Sequence, residues 1–230
     1  MHIMISAGFI LLTIGSYALL LTEIKKVANT AQKPRFTVGF LVGLVIWILF
    51  TSIWSLTGRM SNFAIFPLNM VPVLVIPLIA VLVFVFSKTG REVLVRIPIE
   101  NIVRLQAFRF FVELLLWALY LGGEAPVQMT FGGRNWDVLS GISAPIVAFL
   151  VAKGKISTTG VVIWNLLCLG LLINIVSVAI LSMPTPLRVF MNDPSNTIVT
   201  RFPVSWLPAL LVPLAYGLHF ISLRQLSLKR

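Results

Sequence analysis

Long apolar runs alternate along the chain with short segments in which Lys, Arg, Gly, Pro and Asn concentrate. A helix rises 1.5 Å per residue, so roughly 17 to 25 apolar residues cross about 30 Å of hydrocarbon. Seven runs approach that length: Met4 to Leu21, Phe36 to Leu56, Phe66 to Phe86, Leu105 to Leu121, Val138 to Ala152, Thr159 to Met183 and Trp206 to Leu223. The pattern predicts an all-α, polytopic integral membrane protein, one transmembrane domain over residues 1–230 built as a bundle of about seven helices. The fifth run is short and carries Pro145, which makes it the weakest of the seven.

The cations between the runs orient them, because Lys and Arg stay preferentially on the cytoplasmic side. Odd-numbered connections carry Lys25, Lys26, Lys33 and Arg35, then Lys88, Arg91, Arg96 and Arg104, then Lys153 and Lys155, and the tail carries Arg224, Lys229 and Arg230. Even-numbered connections carry only Arg59, Arg134, Arg188 and Arg201. This alternation predicts the N-terminus outside and the C-terminus in the cytoplasm. If the fifth run did not cross, the basic tail would be stranded outside. The first run has no cationic stretch ahead of it and Lys25 and Lys26 behind it, the pattern of a retained span and not of a cleaved signal.

Composition agrees. Hydrophobic residues make up 58% of the chain and charged residues 11%, and the mean hydropathy of +1.00 is too high for a water-soluble domain of this size. The net charge of +11 sits in short clusters between apolar runs and not on one face, so nucleic acid is not an expected partner. The expected surroundings are the lipid bilayer, most simply a bacterial cytoplasmic membrane, with anionic headgroups against the basic loops and a protein partner or second copy as further contacts. Cys168 is the single cysteine and His2 and His219 the only histidines. No disulfide framework, metal cluster or paired-histidine haem site follows from that count, and no cofactor is expected.

Within the spans, Pro72 and Pro77 are expected to bend the third helix and Pro213 the seventh. Gly39 and Gly43 form a GxxxG that permits close helix approach, and Trp136 and Trp206 fall where interfacial anchors are expected. In the loop from Ser87 to Arg104, Thr89-Gly90 suggests a turn, and Val93, Val95 and Ile97 are expected to alternate with less buried neighbours along the membrane surface.

Two places carry candidate chemistry. Glu113 lies about 12 Å from either end of the fourth span, at the midplane, where a carboxylate must be protonated, paired or facing water. Arg109 is one turn earlier and within pairing reach, although it is placed to snorkel towards the cytoplasm and the Arg-then-Glu order is the poorer one. Asn165, Tyr216 and His219 are expected at a similar depth, Tyr216 and His219 on one helix face, whereas Asn174 faces away from Asn165. The second place is the outer loop Gly122 to Asp137, with Glu124, Arg134, Asn135 and Asp137 as candidate residues. Asp137 is also explained as the N-cap of the fifth span.

Gly141-Ile142-Ser143-Ala144 resembles the GxSx of rhomboid intramembrane proteases, with His219 as the only partner base, but the predicted depths of Ser143 and His219 keep a dyad apart. Seven spans with the N-terminus outside are similar to rhodopsins and G-protein-coupled receptors, yet no span lysine is present for a Schiff base and the similarity is one of topology alone. The reading that follows is a small-solute or ion transporter or channel with Glu113 as its buried carboxylate and the outer loop over its entrance. Its rivals are a non-catalytic membrane subunit or sensor that docks a cytoplasmic partner, and an intramembrane enzyme acting on lipid; on balance enzyme activity is not expected.

Overall fold

The computed structural model describes residues 2–30, 34–94 and 96–228, all helix, turn and loop with no strand. Lys33, Val95, Lys229 and Arg230 lie outside the described residues. The helices are α1 (His2–Thr30), α2 (Pro34–Leu56), α3 (Val71–Phe86), α4 (Lys88–Leu94), α5 (Ile99–Leu105), α6 (Phe108–Leu121), α7 (Val138–Ala152), α8 (Thr158–Leu181) and α9 (Val212–Leu228), the last preceded by a π-helical turn at Leu207–Leu211. By length and composition four helices can cross a membrane: Ile3–Thr30, Arg35–Leu56, Thr158–Leu181 and Leu207–Leu228. A fifth follows if α3 and α4, bent by 77° against one another, count as one broken span.

The last helix is the centre of the bundle, with 78% of its apolar window buried, while α2 lies on the outside with 6% buried. Its wide first turn exposes carbonyls that other helices satisfy. Pro213 has no N–H for the carbonyl of Ala209, four residues back, and the Trp47 indole on α2 donates to that oxygen instead at 2.8 Å. The Tyr17 hydroxyl on α1 donates to the neighbouring Leu210 carbonyl at 3.0 Å. Further along, Gln106, in the break between α5 and α6, donates to Ala215 O, and Gln225 of α9 donates to Leu94 O and Ile97 O at the end of α4. A buried polar group costs least when it is hydrogen-bonded, and here the satisfied backbone groups tie α1, α2 and α4 to the same rod.

Several expectations are corrected. Residues 88–94 and 99–105 form α4 and α5, so Thr89-Gly90 lies in a helix, and Leu94 is buried like Val93 and Ile97. Pro72 occupies the first turn of α3, where a missing N–H is harmless. Trp136 is exposed as an anchor should be, but Trp206 is buried and its indole donates to Ser52 Oγ. Gly39 and Gly43 have nothing within 4 Å of a built Cβ, so the GxxxG makes no close approach and instead lines an open cleft.

The close approach is at Gly141. A Cβ there would lie 2.2 Å from the Phe110 nitrogen, so only glycine lets α7 press against the start of α6. Replacing it, Gly141→Ala, is expected to cost about 1–3 kcal/mol through overpacking, read as a lowered unfolding midpoint in detergent; an unchanged midpoint would mean that the contact is slack.

Candidate functional site

Between α6 and α7 the chain does not remain at the bundle's end. Phe131 stacks on Trp117 with centroids 4.7 Å apart, Gly132 fits against the same indole, Asn135 reaches Glu113 and Asp137 reaches Arg109. Residues 131–137 thus run back along α6 past Trp117, Glu113 and Arg109 in turn, roughly 12 Å of helix. The buried carboxylate and the outer loop, two separate candidates in the sequence, form one site. Non-helical backbone at such depth needs internal partners, and it has them: Asn135 Nδ2 donates to Met129 O at 3.0 Å, and the Asp137 N–H donates to Asn135 Oδ1 at 3.1 Å.

Arg109 is the hub, with 2% of its surface exposed. Its Nε donates to Asp137 Oδ2 at 2.7 Å and its Nη2 to Asp137 Oδ1, a two-pronged ion pair. The same Nη2 donates to the Cys168 carbonyl of α8 at 3.0 Å, and Nη1 contacts His219 Nε2 at 2.8 Å. A guanidinium only donates, so Nε2 must accept and the imidazole proton sits on Nδ1. Nδ1 then donates to Asn165 Oδ1 at 2.9 Å, and Asn165 Nδ2 donates to Ser222 Oγ and to Val161 O. One cation therefore sets the direction of a chain of bonds through α6, α8 and α9, and holds His219 as its neutral Nδ1–H tautomer.

This arrangement corrects three expectations. Arg109 neither snorkels nor pairs with Glu113, because Asp137, brought inward by the loop, offers both carboxylate oxygens. Asp137 stands at the N-cap position of α7 but makes no capping bond; its carboxylate is taken up by Arg109 and by the Ser140 hydroxyl. Ser143 and His219 are not far apart in depth: Ser143 Oγ accepts from the Trp164 indole at 2.9 Å, and that indole lies 5.8 Å from the His219 ring. Both His219 nitrogens are engaged by Arg109 and Asn165, so no dyad forms.

The structure gathers Arg109, Glu113, Asn135, Asp137, Asn165 and His219, and leaves the other candidates elsewhere. Tyr216 packs beside Phe220 and its hydroxyl has no partner among the described residues; it lies on the half-buried stripe of α9 with Val212 and Phe220, about 60° from buried His219. Arg134 lies over the Phe190 ring while its carbonyl accepts from Asn174, and Glu124 sits at the α6 end of the loop, its N–H donating to Leu119 O. Gln128, not singled out in the sequence, joins the loop between α6 and α7 to the one after α8 by bonding Ser182 and Asn192.

Glu113 differs from its neighbours. It is 2% exposed and accepts from Asn135 Nδ2 at 2.6 Å through one oxygen, and among the described residues it forms no ion pair. It faces a cavity of about 70 Å³ together with Arg109 and Asp137, the remaining wall being apolar side chains such as Leu74, Met129, Ile175, Leu211 and Ala215. Half-buried Leu74, Val176, Ile180 and Val212, from α3, α8 and α9, are among the wall's outer residues. No group of three or more metal-ligating side chains occurs among the described residues.

Removing one partner of a buried ion pair strands the other. Asp137→Asn is therefore expected to destabilise the protein by about 3–5 kcal/mol. Glu113→Gln should cost about 1 kcal/mol or less, because an amide oxygen still accepts from Asn135 and no cation loses its partner. Chemical unfolding in lipid–detergent micelles measures both, and the reverse order would mean that Glu113, not Asp137, neutralises Arg109.

No curated protein and no solved structure matches the chain. A family model does: the domain of unknown function DUF8737 matches residues 65–227, a stretch that contains every residue of the Arg109 network. On that match the chain belongs to the DUF8737 family.

Proposed function

We propose that this protein is a seven-span protein of a cell membrane, N-terminus outside and C-terminus in the cytoplasm, and a carrier for a small amphiphilic solute recognised by Glu113. Several lengths support the topology. Helices α5 and α6 together cover residues 99–121, about 34 Å of rise, enough for one crossing. Helix α7, with 15 residues, rises only about 22 Å, and the inward run of residues 131–137 supplies the rest. Half-helices completed by extended chain are a recurrent way to build a binding site at the midplane.

The observation that carries the solute assignment is the charge on the cavity wall. Arg109 and Asp137 neutralise one another, so an occupant meets one hydrogen-bonding acid, Glu113, on an otherwise apolar surface. A hydrated ion would find no polar path there, which argues against an aqueous channel. At about 30 Å³ per water, the space suits a polar head with its first few carbons, an ammonium or hydroxyl group on a short alkyl body. The enzyme alternative loses support because both nitrogens of His219 are engaged, by Arg109 and Asn165.

Proteoliposomes supplied with short alkylamines and alkanols test the assignment. Wild-type protein is expected to pass at least one of them, and Glu113→Gln to lose that flux while remaining folded in the membrane; unchanged flux in the variant removes Glu113 from the mechanism. The topology is tested separately by cysteine labelling, for which buried Cys168 gives a low background. Met191→Cys should react with an impermeant maleimide in intact cells and Lys155→Cys only after lysis, and labelling of both from one side would reject the seven-span arrangement.

A further inference from the structure

A larger space lies on another face of the last helix. The cavity at Glu113 takes Leu211 and Ala215 from that helix, whereas a cleft of about 480 Å³ takes Pro213, Gly217 and Ile221. Its walls are α1, α2, α3 and α9, and exposed Gly39, Gly43, Ile76 and Ala80 line it from α2 and α3. The two polar side-chain groups of its lining are spent: the Tyr17 hydroxyl and the Trp47 indole both donate to backbone carbonyls of the π turn. A hydrophilic solute would gain nothing there. A hydrocarbon chain would, because a groove left empty in lipid forfeits dispersion contacts along both walls, and the volume lies in the usual range for a ligand site.

One end of the cleft is marked by charge. Phe36 and Phe84 stack there, with centroids 5.0 Å apart. In the sequence Arg35 adjoins Phe36 on α2, Lys88 and Arg91 on α4 lie four residues from Phe84 and three from Leu94, respectively, and Arg224 lies three residues from Ile221 on α9, with Glu92 as an acidic residue on α4. The Arg224 guanidinium lies 5.4 Å over the Phe86 ring, and its buried Nε has no hydrogen-bond partner among the described residues. An apolar slot with an excess of cations at one mouth matches a molecule with a hydrocarbon tail and an anionic head.

We infer that the cleft between α2 and α3 binds an anionic phospholipid, with an acyl chain along Gly39 and Gly43 and the phosphate among Arg35, Lys88, Arg91 and Arg224. The occupancy is independent of the Glu113 site. It also gives the exposed glycines a physical reason: a side chain at either position would occupy the path of the acyl chain.

The test is native mass spectrometry of delipidated protein in mild detergent, supplied with phosphatidylglycerol or phosphatidylcholine. Wild type should retain one phosphatidylglycerol per chain in preference to phosphatidylcholine. Gly39→Leu/Gly43→Leu adds Cβ atoms with nothing within 4 Å of either, its side chains project into the cleft, and it should abolish retention without lowering the unfolding midpoint. Arg35→Gln and Arg224→Gln, at the rim, should each weaken the preference for phosphatidylglycerol roughly fivefold, since one cation near an anionic headgroup contributes about that factor; they keep the test decisive even if the glycine variant does not fold. Retention by the glycine variant equal to wild type, or no headgroup preference in wild type, overturns the proposal. So does a wild-type dimer that the glycine variant converts to monomer, which would make a second copy the occupant.

Discussion

A guanidinium buried among helices is tolerable only when its charge is neutralised and its donors are used, and Arg109 meets both conditions at once. Asp137 takes two prongs, and Cys168 O and His219 take one N–H each, so every guanidinium nitrogen has a partner. Because the partners come from the re-entering loop, α8 and α9, the requirement of one side chain draws three separate parts of the chain onto α6. Gly141 is the steric counterpart of the same constraint: without a side chain there, α7 can begin deep enough for Asp137 to meet Arg109.

The network then separates two carboxylates that look alike in the sequence. Asp137 is committed to a cation and belongs to the architecture. Glu113 has a neutral amide, Asn135, as its partner and an apolar cavity beside it. A neutral amide donor leaves a carboxyl available to meet a ligand, whereas a bidentate ion pair does not. The proposed role of Glu113 rests on that difference and not on burial, which the two share.

Much of the helical layout is legible from apolar run length, because only hydropathy and rise per residue decide it: the ends of α2, α3, α6, α7 and α8 fall within a few residues of the runs. The residues of the site were legible individually, since Arg109, Glu113 and His219 are costly inside apolar runs. Their pairing was not. A span-by-span depth estimate assumes that every loop stays outside the membrane, so it put Asp137 at the surface, left Arg109 to snorkel or to pair with Glu113, and separated Ser143 from His219. Asn135 and Gly133 were the signals of the re-entering loop: an asparagine can satisfy stranded backbone, and a Cβ on Gly133 would lie 2.3 Å from Val127 O. In the same way GxxxG on α2 carries no information about what approaches it, and here an open cleft stands where a helix was expected.

The central claim is that Asp137 is held inside the bundle to neutralise Arg109, and a double-mutant cycle tests it most directly. Unfolding free energies would be compared for wild type, Asp137→Asn, Arg109→Met and the double variant. If the account is right, the double variant is more stable than Asp137→Asn alone, because removing the stranded cation relieves the penalty, with a coupling of about 3 kcal/mol. Losses that simply add would show that Asp137 and Arg109 act independently and would contradict the re-entering loop as the organiser of the site.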